Sequence, residues 1–193
     1  MEKKANQWLK YCIILFLPLF ILLLSFKTTI FFTEYTPKQQ NAVDYLQEKT
    51  ELQGNYTAAE RSHMEDVQKV FNKGNTLFWI LALVIILTLT YLKKEKDLDK
   101  QIFFKSGLLT ISSIILLLLA IFLNFNSIFT LFHNIFFPQG NWQFPLDSFL
   151  IQTFPLEFIT KMSILIFSQA LGWGILFILI SLLLKHEMVH QQK

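Results

Sequence analysis

The stretch MSILIFSQALGWGILFILISLLL, residues 162–184, contains no Asp, Glu, Lys or Arg. A helix needs about 20 mostly apolar residues to cross the hydrocarbon core of a bilayer. Residues 162–184 meet that requirement, and Gly172 and Gly174 would let a second helix pack closely against this one. The stretch therefore predicts a membrane-spanning helix.

Three further stretches have the same character: residues 11–30, 76–92 and 107–123. The first contains Pro18, which a membrane helix tolerates when neighbours satisfy the freed carbonyl. The chain is 53% hydrophobic, more than a soluble domain of 193 residues usually carries. We therefore predict an all-α membrane protein: a single integral domain over 1–193, with four transmembrane helices and loop regions at 31–75 and 124–161. A net charge of +3 is too modest to suggest a nucleic-acid partner.

The lysines predict the orientation of the four helices. Ten of them crowd into the head (1–10), the connector (93–106) and the tail (185–193), whereas residues 124–160 contain none. Short cytoplasmic segments carry an excess of Lys and Arg. We therefore expect a multi-pass protein of the cell membrane with both termini in the cytoplasm and both long loop regions on the extracytoplasmic side.

The first loop region predicts two helices. Thr36-Pro37 is a typical helix start, with Gly54 beyond the end of that helix. Thr57 and Glu60 have the spacing of a capping box, and we expect the helix that they begin to close near Gly74.

The second loop region contains an apolar segment, IFTLFHNIFF at 128–137, which is too short to span a bilayer and too apolar for an exposed loop. Residues 149–159 are similar and are broken by Pro155. Such segments usually lie at the membrane interface or re-enter the protein. In the first of them, the strongly polar residues are His133 and Asn134.

Histidine acid–base chemistry is the simplest chemistry that these loops offer. Of the four histidines, only His63 and His133 fall in the outward regions, and Asp66, three residues after His63, could fix its tautomer. The structural alternatives are a solvated helix residue for His63 and an interfacial ring hydrogen-bonded to a carbonyl for His133. The only cysteine, Cys12, is in the first span, which argues against a thiol nucleophile, and no serine lies in a Gly-x-Ser-x-Gly elbow. Without a third outward ligand, we expect no metal and no cofactor.

Two other functions remain open. His186-Glu187-Met188-Val189-His190 matches the His-Glu-x-x-His pattern of a membrane metallopeptidase, although a chance match in a solvated tail explains it better. Alternatively, the chain is a non-enzymatic accessory protein with its outer loops as a docking surface. The residues read one by one favour this second alternative.

Three blocks carry a resemblance to a known family. They are Glu60 to Val67 (E-x-x-H-M-x-D-V), the block of Leu131 to Phe137 with Trp142, Asp147 and Leu150-Ile151, and Val43 to Leu46. Together with the order of the four spans, they resemble the lipoprotein intramolecular transacylases of low-GC Gram-positive bacteria. The resemblance covers nearly the whole chain.

The resemblance implies an acyltransferase of the cell membrane, with diacylated bacterial lipoproteins as substrates and membrane lipid around it. It would move the sn-2 acyl chain of the diacylglyceryl cysteine to the α-amine of that cysteine and so make a lyso-form lipoprotein. It places His63 and His133 at the active site, on the extracytoplasmic face. The candidate supporting residues are Asp66, to orient His63, Trp142, to anchor the loop, and Asn134 and Asp147.

Overall fold

The computed structural model describes residues 2–92 and 96–190, with side chains described at positions 4, 6–92 and 100–183. These residues form helices and contain no strand. The helices are α1 Glu2–Phe32, α2 Pro37–Leu46, α3 Ala58–Leu92, α4 Lys96–Leu123, α5 Phe125–Phe136, α6 Phe149–Thr153 and α7 Leu156–His190. The all-α fold predicted from the sequence is confirmed.

Four helices of the described chain are long and apolar enough to cross a membrane: Asn6–Phe32, Ala58–Leu92, Lys100–Leu123 and Leu156–Leu183. The first three contain the predicted spans 11–30, 76–92 and 107–123, and the fourth contains residues 162–183 of the predicted span 162–184. Their outer faces carry exposed Leu, Ile, Phe and Trp side chains, as expected for surfaces that contact lipid tails. The chain is therefore a multi-pass membrane protein.

Helix α3 is longer than a membrane crossing requires. Its 35 residues extend over about 52 Å, whereas the hydrocarbon core is about 30 Å thick. Charged residues are frequent over 58–73, and residues 76–92 contain none. The first half of α3, which contains His63, therefore has the composition of a helix exposed to water.

The expected helix end near Gly74 is wrong, since α3 continues through this residue to Leu92. Gly74 has no positive φ, and a Cβ at this position would meet nothing within 4 Å. A glycine within a helix costs only about 0.5–1 kcal/mol. The apolar residues that follow must be helical in lipid to satisfy their backbone groups, and this requirement outweighs the cost.

The chain divides into two compact units. The first consists of Met1–Thr28, Leu77–Leu117 and Leu165–Lys193. Its core contains aliphatic side chains of α1, α3, α4 and α7: Ile13, Leu17, Ile21, Leu81, Ile85, Leu92, Ile102, Ile114 and Ala170. In this unit, the Thr28 hydroxyl donates a 2.6 Å hydrogen bond to the side-chain oxygen of Gln169, which satisfies polar groups of the apolar helices α1 and α7.

Only one of the two glycines expected to allow close packing does so. A Cβ on Gly174 would lie 2.8 Å from Ile111 Cγ1 and 3.2 Å from the carbonyl oxygen of Gly107, so α4 and α7 approach closely there. A Cβ on Gly172 would meet nothing within 4 Å. The two positions lie two residues apart on a helix and therefore face different directions.

The second unit consists of Thr29–Thr76 and Leu118–Ile164. Its small core is formed by Ala42, Tyr56, Met64 and Leu150. Helix α2 begins as predicted: Thr36 and Gln39 form a capping box, and Pro37 is the first helical residue. The Gln39 side chain also donates 2.9 Å to the Thr153 carbonyl, which ties α2 to the end of α6.

Helix α5 forms where the sequence indicated an apolar segment of the second loop, and none of its residues is buried. Phe125, Phe129, Phe132 and Phe136 recur at the spacing of one helix face and are all exposed. An exposed aromatic face of this kind suits a helix that lies in the membrane interface.

Candidate active site

The start of α3 is fixed by Glu60, whose side chain is 1% exposed. One carboxylate oxygen accepts a hydrogen bond from the Thr57 backbone N–H, and the Thr57 hydroxyl accepts from Glu60 N, so the predicted capping box is present. The other carboxylate oxygen accepts from Leu150 N at 2.8 Å. Burial alone would raise the pKa of Glu60, but these hydrogen bonds outweigh it and hold the pKa below its ordinary value. Glu60 thus joins α3 to α6 one helical turn before His63.

His63 is buried between two aromatic rings, with its ring centroid 4.8 Å from that of Phe137 and 5.5 Å from that of Phe144. Its Nδ1 makes no hydrogen bond of normal geometry with the described residues. Burial lowers the pKa of His63, and the positive charge of His133 lowers it further, while Asn141 and Asp66 act in the opposite direction. The net effect is an imidazole that is neutral near pH 7 and therefore able to take a proton.

His133 lies in the last turn of α5, in a different environment. Its Nδ1 is 2.8 Å from the Phe129 carbonyl oxygen, and its ring lies 4.0 Å from the Phe129 ring and 4.6 Å from Trp142. Because a carbonyl only accepts, Nδ1 must carry the proton in this contact. That leaves Nε2 as the nitrogen that can exchange a proton with another molecule.

Phe137 links the two histidines. Its ring centroid is 4.8 Å from His63 and 5.7 Å from His133. The imidazoles are close enough for the charge of one to change the pKa of the other. The structure thus brings the two predicted catalytic residues to one place, in contact with the same apolar ring.

Asp66 is the centre of a polar network beside His63. It accepts hydrogen bonds from Lys69 at 2.9 Å, from Asn141 at 3.0 Å and from Gln139. These three donors, Lys69 foremost, hold the pKa of Asp66 below its ordinary value. Asp66 therefore stays ionised at neutral pH and fixes the turn that follows α5. Among the described residues, no three His, Cys, Asp or Glu side chains cluster closely enough to hold a metal ion.

Comparison with known proteins identifies the family. The sequence model of the family described as "Lipoprotein intramolecular transacylase Lit" matches residues 36–159, which is more than half of the chain. The chain belongs to the lipoprotein intramolecular transacylase family.

Solved structures agree with this assignment at the level of the fold. A structure of the membrane integral lipoprotein intramolecular transacylase Lit from Bacillus cereus superposes with a TM-score of 0.82 at 18% identity, over 97% of this chain and 99% of that one. A second, in which a histidine is replaced by alanine, gives 0.81 at 18% identity over 98% and 97%. A third, with a histidine replaced by arginine, gives 0.77 at 18% identity over 98% and 96%. No curated protein matched the chain.

The family assignment confirms the expectation of a transacylase and favours an enzyme over the accessory-protein alternative. The side chains of the metallopeptidase pattern, His186, Glu187 and His190, lie outside the described residues.

In this Lit family member, only some of the candidate site residues predicted from the sequence lie near the two histidines. Trp142 lies beside His133, as described above, and also contacts the Phe129 ring at 5.8 Å. Asn134 and Asp147 are exposed, and neither has a hydrogen bond to either histidine within the described part of the chain. The geometry therefore groups Asp66 and Trp142 with the two histidines and leaves Asn134 and Asp147 apart from them.

Sequence reasoning missed Asn141, Gln139, Phe137 and Phe144. The two amides flank Gly140, whose φ of 77° makes the tight turn that directs them towards Asp66. The polar turn directly after an apolar helix could have indicated these two amides as candidate site residues. Phe137 ends one of the blocks that carry the family resemblance, but neither Phe137 nor Phe144 stood out as a site residue among 21 phenylalanines.

Proposed function

We propose that this transacylase moves the sn-2 acyl chain of a diacylglyceryl-modified lipoprotein cysteine to the α-amine of the same cysteine. The product is an N-acyl, S-monoacylglyceryl lipoprotein, the lyso form. The observation that carries this proposal is the pairing of His63 and His133 around Phe137, with His63 buried so that its pKa is lowered.

In the proposed step, the amine nitrogen attacks the sn-2 ester carbonyl. A C–N bond forms, the C–O bond to glycerol breaks, one amine proton leaves to a base, and the glycerol oxygen gains a proton. No water enters and the total mass of the lipoprotein is unchanged. Because donor and acceptor belong to one molecule, the enzyme mainly has to hold them in reactive geometry.

We assign the base role to His63 and the acid role to His133. The burial that lowers the pKa of His63 keeps its ring neutral, and a base must be neutral before attack. His133 keeps its Nδ1–H on the Phe129 carbonyl, so its Nε2–H, when the ring is protonated, can donate to the glycerol oxygen. General acid–base help of this kind contributes typically about 10²–10⁴-fold.

The α-amine sets a further requirement. Its pKa is roughly 7.7–8.0, so only about a tenth to a fifth of it is neutral at pH 7. The aromatic rings that bury His63 disfavour a charged group beside it and so favour the reactive, neutral amine.

The site is proposed to face the extracytoplasmic side, with both termini in the cytoplasm, because lysines crowd into the segments 1–10, 93–106 and 185–193. The exposed phenylalanine face of α5 would lie in the membrane interface and guide the acyl chains towards His133. Trp142, beside His133, would hold this region at the headgroup level.

The test is mass spectrometry of the N-terminal peptide of a model lipoprotein from cells that otherwise make only the diacyl form. With this protein, we expect an unchanged total mass and one acyl chain on the amine. His63→Gln and His133→Gln, expressed at the same level, should leave the amine free. A free amine in cells that express the wild-type protein well would refute the proposal.

A further inference from the structure

Among the described residues of the second unit, two buried polar atoms, His63 Nδ1 and Asn141 Oδ1, make no hydrogen bond of normal geometry, although the two side chains are close enough for Asn141 to raise the pKa of His63. One can carry a proton and the other can only accept one. A buried polar group without a partner is costly, so two complementary ones in one site call for an explanation.

The orientation of the Asn141 amide is fixed from its other end. Its Nδ2 donates to Asp66 Oδ2 at 3.0 Å and to Ser62 Oγ at 3.3 Å. Asp66 is itself held by Lys69 and Gln139. A carboxylate cannot donate, so the NH₂ end of Asn141 must face Asp66 and the Oδ1 end must face away from it.

From these contacts we infer that Asn141 is a positioning residue, whose Oδ1 accepts a hydrogen bond from His63 Nδ1–H in the substrate-bound enzyme. The inference rests on the proposed function. It fixes the tautomer of His63, with the proton on Nδ1 and the lone pair on Nε2 facing the α-amine. Catalytic hydrogen bonds are often long without substrate and tighten when it binds, which accounts for the absence of normal hydrogen-bond geometry between these two side chains.

An amide acceptor suits this base better than a direct carboxylate. A carboxylate on Nδ1 would strongly favour the imidazolium and raise the pKa of His63, which would leave less of the base neutral. In the inferred arrangement, Asp66 acts on His63 through Asn141, and this refines the sequence-based hypothesis that Asp66 itself orients the ring. The other ionisable group that acts on His63 is His133.

The variant that tests this inference is Asn141→Leu, which keeps the side-chain size and removes the acceptor. The matched control is Asn126→Leu on α5, where the native side chain is exposed. Transacylation of a diacylated lipopeptide by Asn141→Leu should fall about 10- to 100-fold, as expected when one hydrogen bond to a buried group is lost. Asn126→Leu should keep wild-type activity.

A structural readout separates positioning from mere destabilisation. ¹⁵N NMR of the full-length protein in detergent reports the tautomer of the neutral His63 ring and the pKa of its imidazole. The His63 signals are assigned by comparison with His63→Gln. With a bound non-reactive diacylated lipopeptide, we expect Nδ1–H in the wild type. In Asn141→Leu this preference should be lost and the His63 pKa should fall. If Asn141→Leu misfolds, Asn141→Ser takes its place. The shorter serine side chain cannot span the same distance, so this variant should show the same changes in tautomer and pKa.

The same tautomer in the wild type and in both folded variants would overturn the inference, whatever their activity. A wild-type protein that transfers no acyl chain would instead refute the proposed function and leave the NMR result standing. The two failures are therefore distinguishable.

Discussion

His63 and His133 contact the same aromatic ring, with centroids 4.8 and 5.7 Å from that of Phe137, although 70 residues separate them along the chain. One is buried in the first half of α3 and the other is partly exposed in the last turn of α5. Phe137 is buried, and an apolar ring in contact with both imidazoles lowers the local polarity, which strengthens the effect of each charge on the other.

This proximity predicts a pKa change. His133→Gln should raise the pKa of His63, because it removes the nearby positive charge that helps to lower it. NMR titration of His63 in wild type and variant measures the difference. Glu65→Gln, on the exposed face of α3, is the control and should have a smaller effect. An unchanged His63 pKa in His133→Gln would mean that the two rings do not interact.

Glu60→Gln should destabilise the protein by about 1–3 kcal/mol, since a buried carboxylate that accepts from Thr57 and Leu150 is replaced by a group with one acceptor oxygen. The folded-state pKa of Glu60 is lowered, so its contribution is present above pH 4.5 and is lost as pH falls through the folded-state pKa. Thermal unfolding in detergent should show the difference at pH 7, and it should shrink below pH 4.5. An equal difference at all pH values would contradict the assigned charge.

The two glycines of α7 should differ in their response to substitution by alanine. Gly174→Ala should lower stability by about 1–3 kcal/mol, because its Cβ would lie 2.8 Å from Ile111 Cγ1. Gly172→Ala has open space and should cause no loss. Thermal unfolding of the two purified variants compares them directly, and equal losses would refute the close approach of α4 and α7.

Gly74→Ala should stabilise the protein by about 0.5–1 kcal/mol, because alanine favours the helix and meets no neighbour. Gly54→Ala is the contrasting case. Its φ of 123° disfavours any side chain, and a Cβ would lie 2.6 Å from the Phe149 ring. Gly54→Ala should therefore destabilise the fold. A stabilised Gly54→Ala would contradict the positive φ and the close contact at Gly54. A Gly74→Ala variant that loses stability would contradict the open helical position of Gly74.

The local features of the fold could be predicted from the sequence, because they depend on residues close together in the chain. The apolar spans and the caps at Thr36 and Thr57 are of this kind. The end of the helix near Gly74 was mispredicted because lipid, and not local propensity, decides that helix.

The candidate site could be predicted only in part. Two histidines in outward loops were recognisable as chemistry, but the contacts that organise them join distant residues: 75 positions separate Asp66 from Asn141. Nothing in the periodicity of either helix indicates that pairing. It is set by tertiary packing, through the turn at Gly140 that brings the amides of Gln139 and Asn141 to α3.

The most direct measurement is a crossover experiment with purified protein in lipid nanodiscs. One lipopeptide carries a deuterated sn-2 chain, and a second, of different peptide mass, carries an unlabelled one. Intramolecular transfer predicts the label on the amine of the first peptide alone, and none in reactions with His63→Gln or His133→Gln. Label on the amine of the second peptide, label released as free fatty acid, or full activity in either histidine variant would contradict the proposed reaction.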